Sequence, residues 1–259
     1  MSGDARGITL RPGIHLVASG PLGLSHPLDC HAYLAETSAG PYLIDAGVDP
    51  AATAVRANIT GLGYALSDLR GILVTHAHAD HAGGVRALAD ASGAPVFADA
   101  AELALLAEGS DEALGLRAAK ENGTYPRDYV YPHFTGGHAL SEGWSSGPGD
   151  RVLTAMPTPG HSPGSTCFRL DTPGYRALFS GDTLFLGGFI SVLNIDGSDP
   201  GVYRRSLPRL GELAVDGLFP GHYLFAVHGG QSHIDLTLER LRKSVLPNVA
   251  LSWLPYPQL

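Results

Sequence analysis

Apolar residues gather along this chain in short blocks whose period changes from place to place, and the changes mark out elements. Residues 14–18, 32–36 and 42–44 are rich in β-forming side chains and bounded by Gly or Pro, which predicts three early strands. A helix is expected over 51–59, a short apolar strand over 71–74, a helix over 85–91 and a strand over 94–97. The Ala- and Leu-rich stretch 101–119, interspersed with acidic residues, predicts one long helix. Residues 121–150 carry Gly, Pro, His and aromatic side chains without a period and read as a long loop or lid. Strands return at 152–155, 166–170 and 177–179, followed by a helix over 202–213 and a brief strand at 218–219. Ile234, Leu238, Leu241 and Val245 then fall on one face of a final helix. Strands and helices mix in both halves, with no compositional boundary and no short-period repeat. The expectation is one α/β domain over residues 1–259, with helices covering sheets.

Composition narrows the partners. Of the 259 residues 44% are hydrophobic, enough for a sizeable core, and only 16% are charged, against about 25% in an average domain. Lys and Arg number 17 against 25 Asp and Glu, a formal charge of −8. That balance argues against nucleic acid, whose binders cluster basic residues. Cys30 and Cys167 are too few for a disulfide framework or a thiolate zinc site, and both read as small apolar core residues. The first residues lack a basic stretch followed by an apolar run, and the most weakly polar segment, 184–195, is too short to span a bilayer. A cytoplasmic protein with no membrane or nucleic-acid partner is the resulting expectation.

The chemistry concentrates in Thr75-His76-Ala77-His78-Ala79-Asp80-His81-Ala82-Gly83-Gly84, which leaves a buried-looking strand and opens a helix. In the extended part His76 and His78 project to the same side. Asp80 and His81 follow where the chain turns. Four N or O donors in six residues suit Zn²⁺, Fe or Mn better than a thiolate site does. The plain alternative is a polar helix N-terminus capped by Asp80. Three other segments weigh against it: Thr158-Pro159-Gly160-His161, Ser180-Gly181-Asp182-Thr183 and Phe219-Pro220-Gly221-His222. Each sets one ligand-type side chain behind a glycine at a strand exit, where a permissive backbone lets a loop crowd a metal. Alone, each is an ordinary turn.

Together with Leu43-Ile44-Asp45-Ala46-Gly47, these motifs resemble the metallo-β-lactamase-fold hydrolase superfamily over about residues 14–235. The resemblance implies an αββα four-layer sandwich, two mixed sheets packed face to face with helices outside, and a binuclear site at one edge of the sheets. It implies that His76, His78 and His161 bind one metal, that Asp80, His81 and His222 bind a second, and that Asp182 bridges both. Asp45 matches the family's supporting aspartate, which orients the ligand loop from behind. The donor count agrees, because seven ligands exceed one tetrahedral zinc but suit two cations sharing a water. Two zinc ions are expected, with iron or manganese as the other options. The shared water, ionised near neutral pH, would attack a carbonyl or phosphoryl centre, with Asp80 as the catalytic carboxylate that takes the proton.

Competing motifs are weaker. Gly160-His161-Ser162-Pro163-Gly164 matches the letters of a serine-hydrolase elbow, but Pro163 lacks the N–H an oxyanion hole needs there, and a strand rather than a helix follows. His133 and His138, in the long loop with Tyr131, Phe134 and Trp144, either line a substrate pocket or belong to an ordinary solvated loop. His31 precedes a strand near the expected site edge. Tyr223 reads foremost as packing, with donation to a substrate oxyanion as the alternative. His15, His26, His228 and His233 read as structural or surface residues.

Within the family, aspartate at 182 points toward glyoxalase II-like and lactonase-like members, since zinc β-lactamases usually carry Cys or Ser there. The short stretch after His222 leaves a glutathione thioester in doubt, and the acidic balance makes a poor nuclease. Apolar and aromatic residues of 124–144, with Phe185, Leu186, Phe189 and Ile190, suggest a greasy pocket mouth for a small-molecule acyl substrate. The expected activity is hydrolysis of an ester, lactone or thioester by a metal-bridging hydroxide. The alternatives are a mononuclear iron persulfide dioxygenase-like oxidoreductase, a zinc β-lactamase-like amide hydrolase, and a non-catalytic binding module. The oligomeric state is open, a dimer being one option.

Overall fold

Successive side chains of a strand point to opposite faces, so a strand covered on both sides reads as an unbroken apolar run. The computed structural model describes residues 7–243 and shows that arrangement. Its first half contains β1 (Ile8–Arg11), β2 (Ile14–Ala18), β3 (Ala32–Thr37), β4 (Gly40–Ile44), α1 (Thr53–Gly61), β5 (Gly71–Leu73), α2 (Ala79–Ala82), α3 (Val85–Ser92) and β6 (Val96–Ala98). There follow α4 (Ala100–Glu108), α5 (Leu116–Glu121), β7 (His138–Ala139), β8 (Val152–Pro157), β9 (Thr166–Thr172), β10 (Tyr175–Gly181), α6 (Pro200–Ser206), β11 (Gly217–Pro220) and α7 (Gly230–Arg242).

Two mixed sheets result. The first has the order β1-β2-β3-β4-β5-β6-β7, antiparallel up to β4 and parallel from β4 onward. The second has the order β11-β10-β9-β8, with only β10 and β11 parallel. Side-chain parity then divides the apolar residues into three cores. Tyr33, Ala35, Ile44 and Leu73 of the first sheet meet Phe168, Leu170, Phe179 and Phe219 of the second. Ala32, Leu34 and Ile72 face the other way, onto Val55, Ile59, Val85, Leu88 and Leu106 of the helices. Cys167, Leu178 and Leu218 pack outward onto Tyr203, Leu207, Ile234 and Leu241. Three interlayer cores make four layers, αββα, as expected.

Strand direction sets the functional edge. β4 and β5 run parallel, and β3 runs against them, so β3 begins where β4 and β5 end. In the second sheet β8, β10 and β11 share one direction, because β9 opposes both of its neighbours. The sheets meet at this edge, where Thr166 N, at the start of β9, donates to Thr75 O at 2.9 Å.

Three local expectations are corrected. Residues 101–119 form two helices, α4 and α5, because the chain leaves helical geometry at Gly109 and Gly115 takes a left-handed φ of +69°. The helix expected over 202–213 is shorter. Asp199 caps α6 by accepting from Gly201 N at 2.6 Å, and Pro208, lacking an N–H, falls in a 3₁₀ turn, Leu207–Leu210. Strand β1 was not anticipated, since its four half-exposed or exposed residues carry little apolar signal. Val245 of the final helical face lies outside the described residues. Both cysteines are free and buried. No helix among the described residues is long and apolar enough to cross a membrane.

Phe168 is fully buried between the sheets. Phe168→Ala should lower unfolding stability by about 3–5 kcal/mol, through lost transfer energy and the cavity left behind. Chemical denaturation measures it, and a loss under about 1 kcal/mol would contradict this placement.

Candidate metal centre

Each ligand-type residue follows a strand that ends at the shared edge. After β5 the chain stays extended through His76 and His78, then turns into α2, which carries Asp80 and His81. His161 follows β8, Asp182 follows β10 and His222 follows β11. The seven side chains converge. His161 Nε2 lies 3.2 Å from His76 Nε2 and 3.0 Å from His78 Nδ1. His222 Nε2 lies 3.2 Å from His81 Nε2 and 3.0 Å from Asp80 Oδ2. Asp182 stands between the two trios. Its Oδ1 is 3.3 Å from His81 Nε2 and 3.5 Å from His222 Nε2, and its Oδ2 is 3.8 Å from His161 Nε2.

Hydrogen bonds behind the rings dictate which nitrogen faces inward. His81 Nδ1 donates to Asp45 Oδ2 at 2.9 Å, which turns Nε2 toward the other ligand-type groups. Thr75 donates to both oxygens of Asp45, from N and from Oγ1, each at 2.8 Å. With its hydroxyl proton so used, Thr75 Oγ1 accepts from His76 Nδ1 at 3.0 Å, and the Nε2 of this neutral ring is bare. His161 Nδ1 lies 3.1 Å from Ser191 O, a carbonyl that can only accept, so its Nε2 is also bare. Asp45 thus orients one imidazole directly and a second through Thr75, while its own backbone takes a left-handed φ of +61°.

These donors fit divalent cations. A tetrahedral ion with bonds of about 2.0–2.1 Å to nitrogen keeps its ligand atoms about 3.3 Å apart, close to the separations within each trio. Bare lone pairs facing one another repel unless an electrophile lies between them, and Asp182 Oδ1 is buried with no hydrogen-bond partner among the described residues. Burial lowers the His76 and His78 imidazoles, His78 to about 3, with neighbouring histidines adding to the effect. Both are therefore neutral, the form that binds metal. Burial opposes ionisation of Asp80, yet His81 and His222 pull its carboxyl down to about 2. The same pairing holds Asp182 well below the carboxylate range. Side-chain exposure is 19% at His222 and 21% at Asp80 but 0–1% at His81 and His161, so the cage opens on the Asp80–His222 side.

Two glycines are needed for this crowding. A Cβ on Gly181, whose φ is +48°, would lie 2.6 Å from Thr75 Oγ1. One on Gly221 would lie 2.5 Å from His81 Cε1 and 2.8 Å from Asp182 Oδ1.

The other candidates from the sequence are placed variously. Tyr131 is buried and donates from Oη to Ala77 O at 2.8 Å, supporting the ligand loop from below. His133 sits with Nδ1 3.3 Å from Leu106 O, and His138 is exposed on β7, two strands from β5 and against Phe97. His31 is buried, with Nε2 2.8 Å from Tyr223 O. Tyr223 packs edge-on to Phe185, ring centroids 5.2 Å apart, beside His222. Ser162 is no nucleophile: its Oγ is buried and donates to Glu102 Oε1 at 2.6 Å.

Glu102 was missed. Its carboxylate is fully buried and accepts from Ala77 N and Gly164 N, each at 2.7 Å, as well as from Ser162. It thereby ties the His76–His78 loop to the His161 loop. Tyr125 was missed too. It stands near Asp80 from the long loop, and burial followed by that carboxylate raises its phenol well above the usual range. Tyr203 Oη donates to Ser191 O at 2.8 Å, fixing the carbonyl that orients His161.

Residues 26–222 match the family described as the Metallo-beta-lactamase superfamily. The chain is 35% identical over 162 residues to the acyl-coenzyme A thioesterase MBLAC2 of Gallus gallus, covering 58% of this chain and 55% of that protein. It is 31% identical over 181 residues to the hydroxyacylglutathione hydrolase of Hahella chejuensis, covering 69% and 54%. The chain spans about half the length of these curated relatives. A mutant metallo-beta-lactamase from Cronobacter sakazakii is similar in structure, with a TM-score of 0.64 at 28% identity, covering 92% of this chain and 86% of that one.

Glu102→Gln keeps the size of the side chain but turns an amide hydrogen toward an N–H or O–H donor. Metal affinity should fall about tenfold or more, as for other groups behind ligands. A competition titration with a chromophoric chelator measures it, and unchanged affinity would reduce Glu102 to packing.

Proposed function

The chain belongs to the metallo-β-lactamase superfamily, and from that premise we propose that it is a binuclear metal-dependent hydrolase of an ester, lactone or thioester. The observation that carries this reading is the pair of donor trios with the oxygens of Asp182 divided between them. His76, His78 and His161 would hold one cation, Asp80, His81 and His222 the second, and Asp182 both. Zinc is the first choice, and iron or manganese suits the same nitrogen and oxygen donors. When bound, such a pair supplies Lewis acidity and a water that ionises near neutral pH.

The chain's own groups do the rest. Asp45 and Thr75 hold two imidazoles by Nδ1 so that Nε2 of each points inward. Asp80 is ionised at neutral pH, stands on the open side, and can accept the proton released as a carbonyl is attacked. Tyr223, exposed beside His222 and packed on the buried Phe185, presents apolar ring surface there, which suits an acyl chain better than a charged group. The names of the two curated relatives, an acyl-coenzyme A thioesterase and a hydroxyacylglutathione hydrolase, support an activated acyl substrate. The second trio of nitrogen and oxygen ligands beside the first favours two cations over the single iron of a mononuclear oxidoreductase. On this reading residues 1–259 form one domain, acting on a small molecule and not on nucleic acid.

Asp182→Ala should lose at least one metal per chain and lower kcat/KM at least about 100-fold on the best substrate of a panel of lactones, thioesters and β-lactams. Full activity in that variant would overturn the proposal. Prolonged chelation of the wild type should abolish turnover and lower Tm, both restored by added zinc. Turnover that survives complete metal removal would contradict the reading equally.

A further inference from the structure

Three of the Nε2-directed histidines of the cage are aimed by a partner on Nδ1: Thr75 for His76, Asp45 for His81 and Ser191 O for His161. His222 is different. Among the described residues no group hydrogen-bonds its Nδ1, so the direction of its ring depends on the loop that carries it.

That loop is gripped by the segment entering β3. Tyr33 Oη donates to Pro220 O at 2.8 Å and His31 N to Gly221 O at 2.6 Å. His31 Nε2 lies 2.8 Å from Tyr223 O. A carbonyl oxygen only accepts, so the His31 proton is on Nε2 and its Nδ1 is bare. That Nδ1 is buried and unpartnered, which singles out the Nε2 bond as what an imidazole contributes at this position. The three donors come from two residues, His31 and Tyr33, and their target carbonyls, on Pro220, Gly221 and Tyr223, lie on both sides of His222.

The last of these bonds meets a strained backbone. Tyr223 has a φ of +65°, a left-handed conformation that a bulky residue holds only where its surroundings over-determine it. His31 holds the carbonyl of that same residue. Gly221 N donates to Gly181 O at 2.8 Å, so the loop is also tied to the strand exit that carries Asp182.

We propose that His31 is the positioning residue for His222: its bond to the Tyr223 carbonyl replaces the ring partner that the other three histidines have. The second trio stays closed because the turn after His222 cannot relax. This rests on the two-cation reading above.

Cobalt(II) titration of the metal-free protein tests it, read by visible absorption and by native mass spectrometry for stoichiometry. Wild type should take up two cobalt ions. His31→Leu should bind the first as wild type does and the second at least about tenfold more weakly. His31→Gln, whose amide N–H can reach the same carbonyl, should recover most of that loss, which a merely structural role does not predict. If His31→Leu fails to fold, Tyr33→Phe, which removes only the donor to Pro220 O, should weaken the second cobalt selectively. Two cobalt ions in wild type with unchanged affinities in all folded variants would overturn this proposal alone. So would equal weakening of both sites in His31→Leu without recovery in His31→Gln. A wild type that binds a single cobalt would overturn the two-cation reading, and this proposal with it.

Discussion

The bare Nε2 lone pairs of His76 and His161, held 3.2 Å apart, repel one another, and the rest of this structure serves to force the ligand rings into that position. The force comes from behind the rings. One carboxylate, Asp45, takes the Nδ1 proton of His81 and, through Thr75, fixes the proton of His76. Another, Glu102, takes the backbone N–H groups of both loops that carry the first trio. Neither can be exchanged for an apolar group without leaving buried donors unpaired.

The layers supply the rigidity those carboxylates need. Three apolar cores fix both sheets, and the exits of β5, β8, β10 and β11 bring the ligands to one edge, with Asp45 after β4 behind them. Where the backbone breaks ordinary rules, it does so at that edge. Asp45 and Tyr223 are both left-handed, and Gly181 and Gly221 have no space for a side chain. Local strain gathered at one place and supported from several directions is what a functional site requires.

Much of this was legible in the sequence because it is local. His76, His78, Asp80 and His81 lie within six residues, and the glycines before His161, Asp182 and His222 announce tight strand exits. The strands were legible too, since 14–18 is rich in β-forming residues and 71–74 is a short apolar block. What escaped depends on partners far away in the chain. Glu102 stands three residues after the helix cap Asp99, the spacing of an ordinary capping pair, and nothing local says that it reaches Ala77 and Gly164 instead. Tyr125 was one aromatic among several in a loop without period. The break between α4 and α5 was hidden because a strong run of helix formers surrounds Gly109 and Gly115. His133 and His138 attracted notice by residue type alone, and the contacts that hold them lie with Leu106 and Phe97.

The central claim is that this edge holds a pair of cations rather than one or none. Anomalous X-ray scattering at the zinc edge, from crystals of zinc-loaded protein, tests it most directly. The account predicts two peaks, one among His76, His78 and His161 and one among Asp80, His81 and His222, with Asp182 in contact with both. A single peak, or peaks away from these side chains, would contradict it.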